Sequence, residues 1–398
     1  MTAYLDHAAT TPMLPTAVET LTEHLRRTGN ASSLHTSGRR TRRVVEESRE
    51  QVAAALGAGP NEVVFTAGGT EADNLAVKGL FWKRQDDATR RHRIVASAVE
   101  HHAVLDSVEW LVEHQGAEVD WVPVDGAGRI DLDAYHAILD RDPDSIALVS
   151  VMWANNEVGT LQPIEDVVAA AQQRGIPVHT DAVQAVGSVA VDFGRSGVDA
   201  MTVTGHKLGG PYGAGALLLR RGVDLVPVLH GGGQERGVRS GTLDTPAIAA
   251  FAVAVDTAVA ARLSQAPRIA SLREDLVAGV QARVPGAVVS GHPDPSGRLP
   301  GIAHFTFTDC EGDSLLYLLD ARGVECSTGS ACQAGVPQPS HVLRAMGMDD
   351  AQSRGALRFS LGHTSTKADV DAVLDAIGPV VERARNAGLA SRAHGFVA

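Results

Sequence analysis

Apolar and polar positions alternate along the chain in two registers. Short unbroken apolar runs, such as Val63-Val64-Phe65 and the stretch from Ser145 to Met152, predict strands buried on both faces. Between them lie segments of period near 3.6, which predict helices. The predicted order is strand Val63–Thr66, helix Ala72–Lys83, strand Arg93–Ser97, helix Ala103–Gln115, strand Val119–Val124, strand Ser145–Met152, helix Ile164–Arg174 and strand Pro177–Thr180. Two further apolar runs, Ala200–Val203 and Gly213–Leu219, flank a turn rich in glycine. Strands alternating with helices of this length indicate a mostly parallel sheet covered on both faces.

The pattern changes near residue 262. A long amphipathic helix is predicted over Ile269–Val284, then short strands over Ile302–Thr308, Gly323–Cys326 and Leu357–Leu361, and a closing helix over Thr366–Ala384. This reads as a smaller α+β unit. Residues 327–340 are rich in Gly, Ser, Gln and Pro, which predicts a long loop of the kind that carries function. From about Gly388 the chain reads as a loose tail.

The 398 residues suffice for two or three domains, and the net charge of −12 disfavours a nucleic-acid or membrane-surface role. The N-terminus lacks the basic and apolar regions of a secretion signal, and no eighteen-residue stretch is uninterruptedly apolar. Three cysteines, Cys310, Cys326 and Cys332, suit a reducing compartment better than a disulfide scaffold. Arg39, Arg40, Arg42 and Arg43, spaced against Glu46, Glu47 and Glu50, read as a solvated helix face.

The candidate chemistry centres on Thr204-Gly205-His206-Lys207-Leu208-Gly209-Gly210-Pro211. A lysine in a tight turn between two apolar runs has the setting of an amine nucleophile with a lowered pKa. Asp181 ends an upstream strand. A lysine for covalent attachment and an aspartate for a ring nitrogen are the minimal requirement of pyridoxal phosphate chemistry. The plainer alternative is a buried lysine paired with a carboxylate.

Other strand ends carry compatible groups. Gly68-Gly69-Thr70-Glu71 opens a helix and suits a phosphate, or simply caps the helix. Gln184 follows Asp181, which itself serves equally well as a helix cap. His101 suits stacking on a flat ring or moving a proton, whereas His102 begins a helix. Asn155 and Asn156 are turn formers that stand at a strand end. Gly231-Gly232-Gly233 leads to Arg239 and Thr242 in a polar loop. Arg358, in an apolar strand, requires an anion, either a bound carboxylate or an internal acid. Cys332 in the long loop and Cys326 before it compete as a reactive thiol, while Cys310 reads as structural.

These segments, together with Tyr4-Leu5-Asp6-His7-Ala8-Ala9-Thr10-Thr11-Pro12, Gly29-Asn30-Ala31-Ser32-Ser33-Leu34-His35 and Ser360-Leu361-Gly362, resemble the pyridoxal-phosphate cysteine desulfurases of the NifS/IscS type, in the class V aminotransferase group. The ordered likeness covers about nine-tenths of the chain. It implies a fold-type-I α/β homodimer. A large domain, 15–262, would hold a mostly parallel sheet between helices. A smaller α+β domain, 1–14 with 263–398, would carry the thiol loop.

By the same resemblance, Lys207 carries the cofactor, Asp181 faces its ring nitrogen, Gln184 its ring hydroxyl, and His101 its ring face. Gly69, Thr70, Thr204 and His206 surround its phosphate, with Thr242 reaching from the partner subunit. Asn156 and Arg358 take the substrate carboxylate, and Cys332 is the sulfur-accepting thiol, able also to ligate a transient iron–sulfur cluster. The implied reaction turns L-cysteine into L-alanine in the cytoplasm. Its sulfur passes to acceptors such as an iron–sulfur scaffold or a tRNA-thiolating enzyme. The alternatives are a selenocysteine lyase, another class V aminotransferase, or a non-catalytic scaffold. Two departures from the family stand out: threonine for serine at 204, and Gln333 where a small hydroxyl residue is common.

Overall fold

The computed structural model describes residues 2–85, 91–329 and 339–393. Cys332 and Gln333 lie outside the described residues.

Seven strands form the main sheet, in the order Val63–Thr66, Gly215–Leu219, Ala200–Thr204, Val178–Asp181, Ile146–Ser150, Arg93–Ser97 and Glu118–Val122. All neighbours pair in parallel except Gly215–Leu219, which runs antiparallel to both of its partners. The strands from Val63 to Leu219 that were expected as unbroken apolar runs are fully buried, as a sheet covered on both faces requires. The edge strand Glu118–Val122 is only partly so.

A second core surrounds a three-stranded antiparallel sheet, with Ile302–Thr306 between Val288–Ser290 and Ala356–Ser360. The first residues of the chain join this core. Ala3–Tyr4 pairs with Val324–Glu325, and Leu5 is fully buried. Ala8, three residues later, already belongs to the main core.

The expected change near 262 is not a break in the backbone. One helix runs from Thr245 to Arg283 and passes through Pro267. Its first part, including Phe251 and Val255, packs in the main core, and Leu276 and Val280 pack in the second. Sequence periodicity saw only the part from Ile269, because the Arg262–Arg268 stretch is polar and proline-bearing. The helix is long and apolar enough to cross a membrane. Its apolar residues Ala250, Phe251, Ala252, Ala254 and Val255 are instead fully buried within the fold, and it packs on helices Pro15–Leu25 and Thr36–Leu56.

The closing helix spans Lys367–Ala393, so the expected loose tail is helical for at least five residues beyond its expected start at Gly388. The arginine run lies on the helix Thr36–Leu56 with its guanidinium groups exposed, as expected. Arg49 on that helix is the exception: it is buried, and its two terminal nitrogens each donate to a Glu235 carboxylate oxygen at 2.7 Å.

Candidate active site

The carboxyl ends of the parallel strands open into one cavity of about 400 Å³, the place where such sheets hold ligands. Gly69, Thr70, His101, Asn156, Asp181, Gln184, Thr204, His206, Lys207 and Arg358 all line it. Of the residues to which the family resemblance gives a role, two are not in this set. Thr242 is exposed on the polar loop after Gly231, and Cys332 lies outside the described residues. Gly329, three positions before Cys332 in the chain, does line the cavity.

The Lys207 turn is made by glycine. Gly205 donates to Ala214 O and accepts from Leu208 and Gly210. A Cβ at 205 would lie 2.9 Å from Pro211 O. Gly209 has φ of +77°, a conformation side chains resist. The lysine is thereby aimed inward. Its Nζ donates to the Ala8 and Ala9 carbonyls, each at 2.6 Å. Burial, and next the nearby Arg358, bring its pKa down to about 8, so a sizeable share of the amine is neutral at mildly alkaline pH.

Asp181 closes its strand. Its Oδ1 accepts from Val183 N at 2.8 Å, the local bond expected of a turn-forming acid. Burial pushes its pKa up to about 6. His101 caps the following helix, with Nδ1 accepting from Ala103 N at 3.1 Å. Burial, then the Lys207 charge, lower its pKa to about 4, so the ring is neutral. His206 stacks near Tyr212 at 5.9 Å, and burial lowers its pKa to about 4 as well.

The helix Gly69–Lys83 starts at the cavity without a side-chain cap, after Gly68 at φ of +138°. A Cβ at Gly69 would sit 3.1 Å from Val183 Cγ2. The free N–H groups of that helix start suit an anion. Thr204 ends its strand beside them, 2% exposed.

The opposite wall comes from the second core. Arg358 donates to Asn156 O at 2.9 Å and to Asp6 Oδ1 at 2.8 Å, while its Nε has no hydrogen-bond partner among the described residues. Of the two sequence alternatives for this arginine, the internal acid is present, and Arg358 also lines the cavity. Of the asparagine pair, Asn155 is the turn former, its Oδ1 accepting from Glu157 N and Val158 N. Asn156 lines the cavity. Cys326 is buried, with its thiol pushed up to about 12 by burial and then by Asp6, which makes it a poor nucleophile.

A family model described as aminotransferase class-V matches residues 3–373. The chain belongs to the class V aminotransferase family. Within that family it is 58% identical over 389 residues to the IscS-like cysteine desulfurase of Mycobacterium tuberculosis, with 98% of each chain covered. A solved NifS-like protein superposes with a TM-score of 0.88 at 34% identity, covering 96% of this chain and 100% of that one. SspA in complex with cysteine gives a TM-score of 0.77 at 32% identity, covering 90% and 99%.

Several groups around this class V site carry no signal that sequence reading could use. The Ala8 and Ala9 carbonyls that hold Lys207 are backbone atoms. Asp73, 1% exposed, lines the cavity from inside a helix, and burial raises its pKa well above the usual carboxylate range. Glu100 is fully buried, its Oε1 accepting from Ser97 Oγ and Met152 N, and burial pushes its pKa to about 8. Its place before His101 was visible; its burial was not. Among the described residues, no group of three or more His, Cys, Asp or Glu could hold a metal ion.

Proposed function

We propose that the chain is a cysteine desulfurase that holds pyridoxal 5′-phosphate, releases L-alanine from L-cysteine and keeps the sulfur as a persulfide on Cys332. The observation that carries this reading is the convergence of Lys207, Asp181 and an uncapped helix start on one buried cavity. The donor set fits the cofactor. The Gly69 helix start, Thr70, Thr204 and His206 suit its phosphate, Asp181 a protonated ring nitrogen, Gln184 the ring hydroxyl and His101 the ring face. Lys207 supplies the amine for attachment. Bound there, the cofactor supplies an electron sink for charge that develops at the substrate Cα.

The remaining chemistry belongs to the chain. Arg358 and Asn156 orient the substrate carboxylate. Lys207, once displaced by the substrate amine, takes the α proton at Nζ, a task suited to a pKa of about 8. The Cys332 thiolate forms an S–S bond with the substrate sulfur as the substrate Cβ–S bond breaks. The electron pair of the broken bond stays on the carbon skeleton, which takes up a proton and leaves as alanine. Neutral His101 is placed to relay protons at that stage.

The reading includes a homodimer in which Thr242 completes the partner's phosphate site, a cytoplasmic location, and transfer of sulfur to an iron–sulfur scaffold or a tRNA-thiolating enzyme. Its support is the likeness to the relatives named above, one of them solved with cysteine. Mass spectrometry after incubation with L-cysteine tests it. The expected result is one extra sulfur on Cys332 and an equal amount of alanine without any keto acid. Alanine that forms in the Cys332→Ala protein at the parent rate would sink the thiol assignment.

A further inference from the structure

The residues on either side of Cys332 are tied to the cavity wall by a set of buried contacts that the proposed reaction does not use. On the upstream side, Ser327 and Arg358 exchange two backbone hydrogen bonds, Ser327 N to Arg358 O at 3.1 Å and Arg358 N to Ser327 O at 2.7 Å. Gly329 then approaches two buried side chains. A Cβ there would be 3.6 Å from Glu157 Oε2 and 3.7 Å from His304 Nε2. On the downstream side, Ser340 Oγ donates to the same Glu157 oxygen at 2.6 Å. His341 Nε2 lies 2.9 Å from Glu100 O. Ser340 and Glu157 are each 3% exposed.

Glu157 thus bonds the downstream side, the Gly329 backbone passes beside it, and it follows Asn156 directly. Its own backbone is fixed by Asn155 Oδ1. The helix that Ser340 caps packs Val342, Leu343 and Met346 against Val99, Met152 and Val158, between the His101 turn and the Asn156 turn. A buried carboxylate bonded to a hydroxyl is a strong tether, because breaking it strands a charged group away from water.

We propose that Glu157 is a positioning residue for sulfur transfer: through Ser340, it holds the chain downstream of Cys332 to the turn that grips the substrate. The proposal rests on Cys332 being the sulfur-accepting thiol. It places the effect on formation of the persulfide, with cofactor attachment and cysteine affinity left largely to other residues.

The test uses the cofactor-loaded enzyme and rapid-quench mass spectrometry of the Cys332 persulfide, beside kcat, KM and the bound-cofactor content. Ser340→Asp retains an acceptor for Leu343 N, which Ser340 Oγ now caps at 3.2 Å, yet sets a carboxylate against Glu157. It is expected to slow persulfide formation about tenfold or more, the scale of one lost charge-assisted hydrogen bond. Cofactor content should match the parent, and KM should move by less than about threefold, within uniform-binding noise. Glu157→Gln keeps an acceptor for Ser340 and is expected within about threefold of the parent rate. A parent-like rate in Ser340→Asp, or an equal loss in Glu157→Gln, would overturn the assignment. Absence of any persulfide on Cys332 in the parent enzyme would instead remove the underlying reading.

Discussion

The two walls of the cavity solve opposite electrostatic problems. The floor, made by strand ends of the main sheet, holds Lys207, His101 and Asp181, and burial shifts all three toward their neutral forms. The facing wall, from the second core, offers Arg358 already paired with Asp6. Groups whose charge is suppressed by burial suit proton movement, whereas a charge with its counter-ion in place suits a fixed grip on a carboxylate. On the proposed reading, acid–base work and substrate anchoring are separated onto different parts of the chain.

The sharpest way to break this division is on the floor. Lys207→Ala is expected to lower turnover by at least about 10³-fold, the scale of removing a group that acts both covalently and as base. Borohydride treatment followed by mass spectrometry should find a pyridoxyl group on Lys207 in the parent and none in the variant. On the facing wall, Arg358→Lys keeps a positive charge but loses the planar fork. A rise in KM for cysteine of roughly tenfold to a hundredfold is expected, with kcat less affected. An equal fall in kcat with KM unchanged would erase the distinction between the walls.

The floor's suppressed charge also has a signature in stability. Asp181 has a pKa of about 6 in the folded chain, against an ordinary value of 3.8. A raised acid pKa means that the folded state binds the proton more tightly. The associated stability is therefore present below about pH 4 and lost as the pH rises through about 6. Asp181→Asn removes that loss. Without cofactor, it should be more stable than the parent at pH 7 by on the order of 2 kcal/mol, with the gap closing near pH 4, measured by urea unfolding. The smallest effect is expected at Thr204→Ser, which keeps the hydroxyl. Cofactor affinity should change by less than about threefold, read by fluorescence titration, since a conserved donor is conserved binding energy.

Much of the floor was legible in the sequence. Strands buried on both faces leave unbroken apolar runs, and the polar residues after such a run are presented to the ligand crevice; Asp181 and His101 were found that way, whereas Thr204 came from the family resemblance. The facing wall was harder. Arg358 stood out as an arginine in an apolar strand, but nothing local could say that its acid is Asp6, 352 residues away. Glu157 looked like one more residue of an asparagine-rich turn, and its role depends on Ser340, again distant in the chain. The long helix was half seen because the polar, proline-bearing stretch before Ile269 mimics a helix end, and packing on both sides overrides that local signal. The helix Leu132–Arg141 went unread, although Asp131 caps it with bonds from Asp133 N and Ala134 N.

The first ten residues carry a consequence for how this enzyme comes into being. Asp6 waits for Arg358, Ala8 N for Ser360 Oγ, and the Ala8 and Ala9 carbonyls for Lys207. Their partners lie 198 to 352 residues further along the chain. Closing a loop of some 350 residues is a late event in folding. Until it closes, the amine has no carbonyl cradle and the arginine no acid, so the site stays unfinished. One short segment thus completes the floor and the facing wall together.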